Sequence, residues 1–254
     1  MEVTLPHMEF SLLESLAFIW FLICWIGYST FARRAAKTTD TLSSVLYKFR
    51  KEWIEKLSRT GMSEVDAELL ASLERQVSFF ASTSLLILAS LVGVLSTASD
   101  SFMNLSSLSF VATVSLQVIQ LKLLLLIVIF TYAFFTFTWS IRQYGFCFIL
   151  FGSSFNTVRY YDQAEGYQAI ARGRDFKAMA KVLDRAAHSY NYGLRAYFFA
   201  LAVLGWFINS WVFIVACTLT VFVLYRREFK STTVQALILS RTVTGADKPM
   251  DQPS

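Results

Sequence analysis

Histidine, proline and glycine-rich loops are scarce in this chain, and each shortage removes a class of function. Only two histidines, His7 and His188, stand in 254 residues, and neither sits with cysteine or carboxylates at metal-ligand spacing. His188 follows Asp184 by one helical turn, which reads as a capped or solvated side chain rather than a catalytic dyad. No glycine loop suits phosphate binding, and no G-x-S-x-G elbow presents a nucleophile. The expectation is a protein that is not an enzyme, with no metal and no other cofactor. Three cysteines, Cys24, Cys147 and Cys217, lie in apolar runs, and their odd count argues against a disulfide framework.

Basic residues are also missing, but only in places. No Lys or Arg precedes Arg33, and none lies between Ala98 and Leu116, where Asp100 is the only charge. Without a basic n-region, the first apolar run does not read as a cleaved signal peptide.

What the chain has in excess is apolar surface. Apolar residues make up 55% of it, Phe alone numbers 24, and charged residues reach only 16%. A soluble domain of this length needs more charge to cover itself. The composition therefore predicts an all-α, polytopic membrane protein. Three full transmembrane helices are expected at about 12–31, 77–97 and 120–141. A fourth apolar stretch, 196–225, is about 45 Å long as one helix, too long for a single crossing.

The charges set the expected topology. Basic residues crowd the segments 33–75 and 145–195 and recur after Tyr225 as Arg226, Arg227 and Lys230. By the positive-inside rule these regions are cytoplasmic, with the N-terminus out and the C-terminus in. Arg195 and Arg226 then share a side only if the chain turns back between them. Asn209-Ser210, flanked by Trp206 and Trp211, is the natural turn. A short hairpin, 196–208 and 211–225, follows, with arms of roughly 21 Å each. Residues 1–241 form one membrane domain, and 242–254, TVTGADKPMDQPS, reads as a disordered tail.

Both basic segments read as helical. Leu42, Val45, Leu46, Phe49, Trp53 and Leu57 share one face of the first, Gly61 ends it, and Ser63 with Asp66 forms a capping box. That box opens a helix running into the second span. Phe176, Met179, Leu183, Ala187 and Tyr190 stripe the second segment. These stripes pack against each other or a neighbouring subunit, or lie on the membrane surface. The basic charge is interleaved with Asp and Glu and is accounted for by topology, so no nucleic-acid partner is expected.

Within the third span, Gln120, Thr131, Thr138 and Arg142 fall within about 60° of one another. Lys122 projects roughly opposite. A polar pathway would place both cations on one face, so this helix alone does not make a continuous channel. Glu14 and Lys122 share a depth at the outer interface. They form an ion pair between the first and third spans, or each snorkels separately. On the second span, Ala89, Gly93 and Thr97 recur at every fourth residue, a small-residue seam for another helix.

The runs 76-QVSFFASTSLLILASL-91, 121-LKLLLLIVIFTYAFFTFTWSIRQY-144, 193-GLRAYFFALAVLGWFINSW-211 and 224-LYRREFKS-231 resemble bacterial members of the domain-of-unknown-function family 599. The resemblance extends from about Leu12 to Ser231. It implies a multi-pass protein of the bacterial inner membrane and carries no catalytic or ligand-binding residue with it. The expected partners are the lipid bilayer, anionic lipid headgroups, further copies of the chain in a homo-oligomer, and a protein partner of unspecified kind. Two functions fit: a homo-oligomeric channel or transport pathway, favouring small anions, or a structural scaffold presenting cytoplasmic helices to partner proteins.

Overall fold

A computed structural model describes residues 12–39, 41–97, 116–160 and 165–246. Among these the chain is all-α, without a strand: α1 (Leu12–Thr38), α2 (Leu42–Thr60), α3 (Glu64–Ser96), α4 (Leu116–Tyr160), α5 (Glu165–Trp206), α6 (Ser210–Phe229) and α7 (Thr232–Ala246). Three of them, α1, α3 and α4, are long and apolar enough to cross a membrane. Residues 1–11 and the expected outer loop at 98–115 lie outside the described residues.

Local chemistry explains where the helices begin and end. Thr41 caps α2 and Ser63 caps α3, each in a reciprocal box with the residue three positions on, Ser44 and Asp66. In the second box the Ser63 hydroxyl donates to Asp66 Oδ2 at 2.6 Å, and the Asp66 N–H donates to Ser63 Oγ at 3.2 Å. Asp66 also accepts from the Trp53 indole at 2.8 Å, which locks the α2–α3 corner. Gly61 ends α2 at φ 79°, in the region where a Cβ is strained.

Four boundaries differ from the sequence reading. α4 does not stop near residue 141 but continues as one 45-residue helix to Tyr160. That is about 68 Å, twice the hydrocarbon thickness, so the helix projects beyond any bilayer. The first arm of the hairpin is likewise the end of a 42-residue helix rather than an isolated short one. No proline interrupts either stretch, and single glycines cost too little to break a packed helix. The chain turns through Phe207, Ile208 and Asn209, so Ser210 opens α6. Asn209 caps that helix, accepting from the Trp211 N–H at 3.0 Å. α7 runs to Ala246, into the stretch expected to be a disordered tail, whose remainder lies outside the described residues.

The antiparallel pair α4–α5 forms the centre. α3 packs on α4, α6 packs on α5, α1 packs on α6, and α2 crosses α5. The buried stripe Met179 and Leu183 of α5 joins the core, as do Ile54 and Leu57 of α2. Rings fill the interior. Trp206 stacks on Phe213 at 4.7 Å, Trp25 on Phe199 at 5.3 Å, and Phe80, Phe137, Tyr190 and Tyr197 interlock beside α3. Lipid tails are as apolar as these side chains, so close packing and interhelical hydrogen bonds hold such a bundle. Ser140 donates to the Ala186 carbonyl at 2.7 Å, Tyr197 to the Phe80 carbonyl at 3.2 Å, and the Trp20 indole to Thr218 at 3.2 Å. Each is worth about 1 kcal/mol.

Candidate functional site

The bundle has two polar ends. At one, α1 begins, α4 begins, and the α5–α6 turn closes. Here Lys122 Nζ lies 3.4 Å from Glu14 Oε1 and donates to the Trp206 carbonyl at 3.1 Å. Its ammonium also stands 5.2 Å from the centre of the Trp206 ring. Both side chains are largely buried, at 7% and 17% exposure. The structure thus brings Glu14 and Lys122 together. Sequence reasoning missed the third member. Trp206 ends α5, where the last carbonyls lack helical partners and attract a cation. The clue was available in the Asn209-Ser210 turn three residues further on.

The other sequence-selected residues do not converge. Thr138 and Arg142 are exposed on the outer surface of α4, and Gln120 and Thr131 are half-buried. The Arg142 guanidinium lies 5.9 Å from the Phe146 ring. The opposite face, through Lys122, Leu126, Ala133, Phe137 and Ser140, is the buried one. Ala89, Gly93 and Thr97 are exposed along α3, and among the described residues no other helix comes within 4 Å of a Cβ built on Gly93. Asn209 and Ser210 sit at the turn described above, with Ser210 buried.

At the basic end, α2 is fastened to α5. Arg50 Nη2 donates to Asp184 Oδ1 at 2.6 Å. His188 Nδ1 lies 2.9 Å from the Asp184 carbonyl oxygen and 3.4 Å from its Oδ2. Hydrogen bonding to Asp184 lifts the His188 imidazole above its ordinary range, against the pull of burial. Burial acts to raise the Asp184 carboxyl, but hydrogen bonds and charge from His188 and Arg50 outweigh it and hold the group low. Sequence reading identified the His188–Asp184 neighbours at helical spacing. It had no signal for Arg50, 134 residues away.

Beside this triad opens a cleft of about 630 Å³ between α1, α2, α5 and α6. Arg33 and Arg34 line it from α1, Arg195 and Tyr192 from α5, and Glu228 from α6. The Ser43 hydroxyl donates to Glu228 Oε1 at 2.6 Å, and the Ser43 N–H donates to the same atom at 3.2 Å. Arg195 lies over two rings, 5.3 Å from Tyr28 and 5.6 Å from Tyr192. Among the described residues no cluster of His, Cys, Asp and Glu could hold a metal ion.

Three long apolar helices around an aromatic interior, with the Glu14–Lys122 pair at one end and the part-buried Arg50–Asp184 pair at the other, define a polytopic helical protein of the membrane-spanning class. A family model described as "Protein of unknown function, DUF599" matches residues 16–233, and the chain belongs to that family. The matched region contains Lys122, Trp206 and the basic cleft and begins just after Glu14. No curated protein and no solved structure matches the chain.

Proposed function

We propose that this chain is a non-catalytic, multi-pass protein of the bacterial inner membrane. In this reading it works as a homo-oligomeric scaffold whose basic-end helices form a rigid platform on the cytoplasmic side. The observation that carries the reading is the Arg50–Asp184 bond at 2.6 Å, which fixes α2 to the projecting part of α5. A platform held by a part-buried, charge-assisted hydrogen bond presents one surface to partners rather than many. The aromatic interior supports the same reading, because among the described residues it is ring-filled between the polar ends. The orientation rests on the positive-inside rule: Arg33, Arg34, Arg195, Arg226 and Arg227 gather at one end of the bundle.

A channel is the second reading, favoured by the outward position of Thr138 and Arg142 on α4. A path for small anions then runs between copies and not through one of them. Native mass spectrometry and imaging of the particle in nanodiscs separate the two. A closed oligomer with a filled axis supports the platform. A ring with an open axis lined by Thr138 and Arg142 supports the channel, and conductance of wild type against Arg142→Ala then follows. A monomer overturns both.

A further inference from the structure

The basic cleft has the chemistry of an anion site. Its carboxylates are already engaged: Asp184 by Arg50 and His188, and Glu228 by two hydrogen bonds from Ser43. Its guanidiniums are not so engaged. Among the described residues neither Arg33, Arg34 nor Arg195 is within salt-bridge distance of a carboxylate. Arg33 donates through Nε to the Ser29 carbonyl at 3.2 Å, and its paired terminal nitrogens make no hydrogen bond among the described residues. Arg195 is half-buried and held by Tyr28 and Tyr192 through ring faces, so the N–H edges of its planar fork remain for a ligand. A cation placed this way is partly desolvated with no carboxylate in direct contact among the described residues, a cost that an incoming anion relieves.

We propose that this cleft binds a phosphate group, held by Arg33, Arg34 and Arg195. Three guanidinium forks match the tetrahedral oxygens of a phosphate better than the two oxygens of a carboxylate. A volume of about 630 Å³ admits a phosphate together with the polar group it is attached to. Glu228, on the α6 wall, keeps a negative charge in the cleft and directs the anion toward the α1 and α5 walls. The cleft opens where the apolar run of α1 gives way to Arg33 and Arg34, the end of a candidate membrane span, so the phosphate we propose belongs to an anionic lipid headgroup or to a small soluble phosphate compound. This inference does not depend on the scaffold or channel reading.

The test uses the full chain in uncharged detergent. Two probes are titrated separately and read by native mass spectrometry and thermal shift: short-chain phosphatidic acid and glycerol phosphate. The variants are Arg195→Gln and the double Arg33→Gln/Arg34→Gln, the latter at exposed positions that do not support the fold. Their charge-matched controls are Lys51→Gln and Lys51→Gln/Arg75→Gln, at exposed residues outside the cleft. Loss of one charge-assisted contact is expected to weaken binding about tenfold or more, and the controls about twofold or less. Binding of phosphatidic acid alone identifies a lipid headgroup, and binding of both probes identifies a soluble phosphate compound. The proposal is overturned if neither probe binds, or if cleft and control variants lose affinity equally.

Discussion

Lys122 and Glu14 meet at 3.4 Å across the α1–α4 interface, and the same ammonium caps the last carbonyl of α5 at 3.1 Å. One cation thereby joins three helices at the end of the bundle where all three begin or finish. A buried ammonium is costly unless its donors are used, and here a carboxylate, a carbonyl and a ring face share it. Trp206, which supplies the last two, is itself buried between Phe18 and Phe213.

The pairing predicts coupling between the two residues. Glu14→Gln and Lys122→Met should each destabilise the detergent-solubilised protein by about 1–3 kcal/mol, because each leaves the other charge buried and uncompensated. The double variant should recover at least half of the summed loss, since no charge is then stranded. Thermal unfolding of the four proteins checks this, and strictly additive losses would show that the two side chains do not interact.

Gly193 lets α5 approach α4 closely. A Cβ at this position would overlap the ring of Phe137, which is fully buried and hemmed in by Phe80, Tyr190 and Tyr197. Gly193→Ala should therefore cost about 1–3 kcal/mol through overpacking, despite the better helix propensity of alanine. Phe137→Leu in the same chain should return part of the loss. A Gly193→Ala protein as stable as wild type would show that the ring has room to move.

The Arg50–Asp184–His188 cluster gives stability a defined pH dependence. His188 is held above its ordinary range, so its contribution is complete below about pH 6.5 and is lost as pH rises through the raised value. Asp184 is held below its ordinary range, so its contribution is complete above about pH 4 and is lost as pH falls through the lowered value. The cluster should therefore stabilise most between these limits. His188→Gln should flatten the alkaline side of a melting-temperature profile, and Asp184→Asn should flatten both sides. Identical profiles for His188→Gln and wild type would remove His188 from the account.

The exposed small-residue face of α3 makes a prediction about assembly. Gly93→Leu adds its side chain where, among the described residues, no other helix lies within 4 Å of the new Cβ, so the protomer's own stability should change by no more than about 0.5 kcal/mol. If α3 meets α3 of another copy there, particle mass should fall. An unchanged mass would direct attention to the outward face of α4 instead.

The sequence alone determined a good deal. Long apolar runs require backbone hydrogen bonds to close within each segment, so helices follow from composition. The clustering of Arg and Lys determined which helix ends gather together. Capping at Ser63 with Asp66, the stop at Gly61 and the turn beside Asn209 are contacts between near neighbours, and near neighbours leave a readable pattern. Depth counting along α1 and α4 was enough to nominate Glu14 and Lys122 as partners.

The tertiary structure decided the rest, because it depends on which faces meet. Nothing local tells Ser43 that it will hold Glu228, 185 residues away, or Arg50 that it will find Asp184. The polar face of α4 was legible as a stripe, but only helix packing turned Lys122 inward and Arg142 outward. Helical periodicity separates faces without naming their neighbours, and the neighbours here are set by rings that interlock between helices distant in sequence. The basic cleft is the clearest case: four helices contribute to its walls, and no one of them carries a motif for it.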